Sequence, residues 1–180
     1  RKGLYYVYAR LLNLRVTHKD LFQNDAIFSW NVTENYWSTT PRSLTLKNGA
    51  EVMYVVGNFG KSGATLLNKG HRPYMQQEEY HKAIDFAGDI VVIHLGINDT
   101  DPRDWPNYRD FFIQDYRALI DSFRVANSRC RILIARLTPI ADRHLRFESG
   151  TRDWHDEIQL AIENIAKYAG VQLIDFHAPL

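Results

Sequence analysis

The chain has one cysteine, Cys130, in 180 residues. That excludes an internal disulfide, and without a cysteine cluster nothing suggests a zinc site. It also lacks any apolar run near the roughly 18 residues needed to cross a bilayer. Charge of one sign is missing as well. Lys and Arg number 22 against 21 Asp and Glu, a net +1, so no field gathers nucleic acid or an anionic membrane surface. No repeat and no low-complexity linker interrupts the chain. A secretory leader pattern is absent at Arg1, and a start at Arg suggests a processed or excised piece.

The content is ordinary for a globular domain, with 45% hydrophobic and 24% charged residues. A chain of this length buries about 70% of its unfolded surface, so residues 1–180 are read as one domain. Short apolar runs alternate with helical patterns. "DAIFSW" (25–30), "EVMYVV" (51–56), "DIVVIHL" (89–95), "RILIARL" (131–137) and "VQLIDF" (171–176) are β-branched and apolar on both faces, as strands of a covered parallel sheet are. Cys130, opening "CRILIARL", is expected to be a buried strand residue.

Helices are expected over 76–87, 108–126 and 154–170. The second places Phe112, Tyr116, Ile120 and Phe123 on one face; the third places Ile158, Ala161, Ile165 and Tyr168 there and stops at Gly170. Alternating strands and helices imply right-handed crossovers and a three-layer α/β/α sandwich around a parallel sheet. Residues 1–24 read as a helix and linker ahead of the sheet.

In such a sheet, ligands bind outside the carboxyl ends of the strands. Two of those ends carry unusual loops. "NFGKSGATLLNKG" (58–70) has three glycines in thirteen residues, and "LGINDTDP" turns sharply at Gly96 to present Asn98. A backbone N–H from Gly63 and the uncharged amide donors of Asn98 can together hold a developing oxyanion. Taken alone, each loop is better read as a turn or helix cap.

As a pair, "NFGKSGAT" and "GIND" resemble the second and third blocks, N-x-G-x-x-G-x-T and G-x-N-D, of the SGNH (GDSL-type) hydrolases. The similarity extends from about residue 51 to 176 and is nearest to bacterial sialate O-acetylesterase-like carbohydrate esterases. The resemblance implies a flavodoxin-like α/β/α fold that hydrolyses esters without metal or organic cofactor. It implies an oxyanion hole at Gly63 and Asn98, and a small-molecule or glycan ester as partner. Secretion or a periplasmic address is favoured on the same ground.

Two blocks depart from the family pattern. No "GDS" occurs. In the register "AIFSWNVT", Asn31 takes the nucleophile position, and a carboxamide cannot attack an ester as a serine does. "TTPRSLTLKNGAEV" resembles the helix that separates the first two blocks. The closing D-x-x-H is missing too: Asp175 and His177 are one residue apart, which makes Asp175 strand-end material and leaves His177 as the candidate base. His144 and His155 are expected at the surface. Either the chain is truncated at its last catalytic block, or it is a pseudoenzyme that binds carbohydrate without turnover. Weak or no esterase activity is expected.

Ser62, Arg72, Tyr74 and Asp99 are the expected substrate contacts, with Lys61 and His71 beside them; an arginine fork suits a sugar carboxylate. Trp105 and Trp154 are weighed as stacking platforms or packing. The long segment "LTPIADRHLRFESGTRDW" has the length of a lid or binding loop.

Overall fold

The computed structural model describes residues 42–45, 51–54, 57–140 and 151–175, with backbone only for 42–45, 51–54 and 151–153. Asn31, His177, His144, the expected strand at 25–30, residues 1–24 and most of the expected lid lie outside the described residues. The chain divides into two compact units with the boundary after Asn58.

In the first unit, β1 (Arg42–Thr45) and β2 (Glu51–Tyr54) pair antiparallel, with Leu44 opposite Val52. This corrects two expectations. Residues 42–45 are strand where a helix was expected, and 51–54 pair in a two-stranded antiparallel sheet instead of entering the parallel one. Asn48-Gly49 between the two runs is a strong hairpin signal that the apolar reading of 51–56 passed over.

The second unit carries the parallel sheet. Strand β3 (Ile90–Ile93) lies beside β4 (Arg131–Ala135), and β4 beside β5 (Gln172–Ile174), all parallel. The longer helices are α1 (Glu78–Phe86), α2 (Phe112–Ala126) and α3 (Thr151–Ala169). Helix α2 links β3 to β4 and α3 links β4 to β5, the crossover that parallel neighbours require. This is the α/β architecture expected from the sequence.

Phe112, Tyr116, Leu119, Ile120 and Phe123 of α2 are buried, the face its spacing predicted. Helix α3 departs from expectation at one position. Its buried face is Ile158, Ile162, Ile165 and Ala166, while Tyr168 is 74% exposed. A stripe through 158, 162, 165 and 166 keeps to one helix side, and Tyr168 falls off it. Ile93, Ile132 and Ile134 supply the sheet's side of the core. Cys130 stands just before β4, half-buried, its Sγ 3.6 Å from the Phe123 carbonyl oxygen. No helix among the described residues is long and apolar enough to cross a membrane.

Candidate active site

Beyond the end of β3 the chain makes a turn that only glycine accommodates. Gly96 has φ +122°, and a Cβ there would stand 3.1 Å from Cγ2 of Ile158 on α3. The turn leads into a 3₁₀ segment, Ile97–Thr100, which carries Asn98 and Asp99. The glycine-rich loop folds against this segment. Its Lys61–Ala64 turn closes through Ala64 N–H to the Lys61 carbonyl at 3.1 Å, with Gly63 at φ +73°. A left-handed residue at that turn position calls for glycine.

The two segments meet where the sequence pairs them. Asn98 Nδ2 donates to the carbonyl of Ala64, one residue past Gly63, at 2.9 Å. An amide nitrogen carries two hydrogens, so one remains for a ligand. Among the described residues no group accepts from the Gly63 N–H. The Asn98 amide is therefore held at the residue that follows Gly63 with one hydrogen uncommitted.

The rest of the glycine-rich loop is held in another way. The amides of Leu66 and Leu67 donate to the two oxygens of Asp99, at 2.9 and 2.8 Å. Asn68 N–H donates to Asp115 of α2 at 2.8 Å, and His71 N–H to Asp104 at 2.8 Å. Three carboxylates thus satisfy four amides of a loop that has little regular structure to satisfy them. Each such charge-assisted bond contributes about 1.5–3 kcal/mol. This ladder is not anticipated from the sequence, where Asp99 reads as a substrate contact.

Two expected substrate contacts, Asp99 and Tyr74, are buried. Asp99 is fully buried and accepts from two loop amides, one on each oxygen, so it braces the loop. Burial pushes its carboxyl up to about 7, against the pull of the Leu67 and Leu66 amides. Tyr74 is also buried, its hydroxyl donating to the Phe59 carbonyl at 2.8 Å; burial, and then the charge of Glu79, push its pKa up to about 12.

Ser62 and Arg72 are exposed, and Arg72 Nη1 donates to the Ser62 carbonyl at 3.1 Å, beside the Gly63 turn. Lys61 pairs with Glu79 at 2.7 Å, and that bond holds the Glu79 carboxyl below its usual range. Trp105 is packing: it is buried, donates to Glu157 at 2.6 Å and meets Phe112 edge-on.

At the far edge, Asp175 follows β5 and pairs with Arg136 at 3.1 Å, as strand-end material would. His155, expected at the surface, is buried, with Nε2 3.0 Å from the Thr138 carbonyl oxygen. Its place on the inner side of α3, next to Ile158, accounts for the difference.

His71, Asp101 and Asp104 offer ligand atoms within 4.8 Å of one another. Each acid already has a partner. Arg103 forks onto Asp101 at 2.9 and 2.8 Å and holds that carboxyl down at about 2, while Asp104 binds His71.

The family model of the GDSL-like lipase/acylhydrolase family matches residues 27–180. An acetylxylan esterase of Xylanibacter ruminicola is 34% identical over 140 residues, 69% of this chain and 29% of that protein. The chain thus spans under a third of the length of this relative. A crystal structure aligns with 69% of this chain and 61% of its own, at 19% identity and a TM-score of 0.46.

Proposed function

The chain belongs to the GDSL-like lipase/acylhydrolase family, and from that premise we propose that it serves ester hydrolysis on O-acetylated carbohydrate. The observation that carries this reading is the Asn98–Ala64 bond, which brings the Asn98 amide to the residue after Gly63, whose own N–H meets no acceptor among the described residues. An acetyl carbonyl oxygen seated there would gain negative charge as the tetrahedral intermediate forms, against donors already fixed in place. Gly63 supplies a donor without a side chain in the way. Asn98 supplies one without a charge that would bind the substrate as tightly as its transition state.

The esterase relative acts, by its name, on acetylated xylan, which supports acetyl esters of polysaccharides as the substrate class. The sialate preference expected from the motifs has no counterpart in that comparison. In this reading Ser62 and Arg72, exposed beside the Gly63 turn, would meet the alcohol side of the ester. The nucleophile position, Asn31, and the candidate base, His177, stand as sequence assignments.

One sequence observation favours a second reading: carboxamide in place of hydroxyl at residue 31, which points to a carbohydrate-binding pseudoenzyme with an intact oxyanion cradle. Hydrolysis of p-nitrophenyl acetate by the purified chain, beside its Asn98→Ala variant, separates the two. Turnover that falls a hundred- to thousandfold in the variant supports the esterase. Sugar binding with no turnover supports the pseudoenzyme.

A further inference from the structure

The His71–Asp104 pair is more elaborate than holding a loop requires. The side chain of Asp104 is 1% exposed, and both its oxygens go to one residue: Oδ1 to the His71 N–H at 2.8 Å and Oδ2 to the ring Nδ1 at 2.6 Å. The amide bond alone would fasten the chain. The second bond orients the ring of an exposed residue. An ionised carboxylate only accepts, so the ring proton of a neutral His71 sits on Nδ1 and the Nε2 lone pair is left bare. No described group bonds to Nε2.

The pair is built from the two segments that carry Gly63 and Asn98. Residue 72, next in the chain, lies over the Gly63 turn: its Nη1 is 3.5 Å from where a Cβ on Gly63 would stand. Beside the imidazole is the Asp101–Arg103 fork, a further acceptor and donor at the surface. A fixed imidazole acceptor flanked by a carboxylate and a guanidinium suits a neutral ligand rich in hydroxyls.

We infer that His71 Nε2 accepts a hydrogen bond from a sugar hydroxyl at the rim of the acyl site. Asp104 is the positioning residue that sets the tautomer, and His71 is a specificity-determining contact for the glycan and takes no part in the acyl chemistry. The inference rests on the carbohydrate reading above but not on turnover.

Titration calorimetry of the full chain with an acetylated xylo-oligosaccharide tests it. His71→Ala is expected to weaken binding about three- to tenfold, the worth of one neutral hydrogen bond. Asp104→Asn turns an NH2 toward Nδ1 and moves the ring proton to Nε2, so it should weaken binding equally. ¹⁵N spectra of the imidazole provide a second readout, with Nδ1 protonated in the parent and the Nε2 resonance moving as sugar is added. That readout and His71→Ala suffice if Asp104→Asn lowers the melting temperature too far to use.

Unchanged affinity in His71→Ala, no sugar binding by the parent, or a parent tautomer protonated at Nε2 would each overturn the inference. p-Nitrophenyl acetate has no sugar, so its hydrolysis reports on the esterase reading alone. Sugar binding that depends on His71 without such hydrolysis leaves the inference standing and the esterase reading fallen.

Discussion

The glycine-rich loop has two halves with opposite hydrogen-bond economies. In residues 66–71, the amides of Leu66, Leu67, Asn68 and His71 are each met by a carboxylate oxygen. In residues 61–64, the turn leaves the Gly63 N–H uncommitted, and the neighbouring Asn98 amide spends one hydrogen on Ala64. A few residues further on, four backbone donors are met by carboxylates. The contrast separates the part of the loop that is held from the part that is free to hold something else.

The largest effect should come from breaking the held half. Asp99→Ala strands two buried amides and is expected to lower stability by about 2–6 kcal/mol, at 1–3 for each, read from urea unfolding. The free half should respond chiefly in rate. Asn98→Ala is expected to reduce esterase turnover by two to three orders of magnitude; it also removes the one bond to the Ala64 carbonyl, so its stability loss, about 1–3 kcal/mol, should stay below that of Asp99→Ala.

Asp99 also sharpens the comparison through pH. Its carboxyl is raised in the folded chain from 3.8 to about 7, so the folded state binds the proton more tightly than the unfolded state does. The stabilisation is full below about pH 4 and is lost as pH rises through about 7, by on the order of a few kcal/mol. Denaturant midpoints across that range should fall with pH in the parent, and the fall should flatten in Asp99→Asn. The smallest effect belongs to Lys61→Ala, which removes a partly exposed ion pair with Glu79. A loss within about 1 kcal/mol is expected, measured by thermal melting.

The sequence made the scaffold legible wherever burial imposes a period. Phe112, Tyr116, Ile120 and Phe123 fell on the buried face of α2 because packing demands that spacing. The runs at 89–95 and 131–137 were strands because apolar, β-branched segments suit a covered parallel sheet. The two loops were also legible, because Gly63 and Gly96 mark left-handed backbone that few other residues adopt.

The carboxylate ladder was not legible. Asp99 lies 32 and 33 residues from the amides it binds, and Asp115 lies 47 from Asn68. Nothing local tells an aspartate that braces a distant loop from one that caps the next turn, and so Asp99 was read as facing substrate. Tyr74 was misread for a related reason: its hydroxyl suggests a ligand contact until Phe59 is seen to accept from it. At 42–54 the loss was avoidable, since Asn48-Gly49 between two short runs announces a hairpin.

The central claim is that Gly63 and Asn98 present their free hydrogens to one oxygen while the braced amides do not. Acetate, the product of the proposed reaction, tests this in a ¹⁵N-resolved NMR titration. The account predicts that the Gly63 amide and the Asn98 side-chain NH2 move together to lower field, with Leu66, Leu67 and His71 N–H unmoved. Acetate shifting the braced amides instead, or moving Gly63 and Asn98 with different affinities, would contradict it.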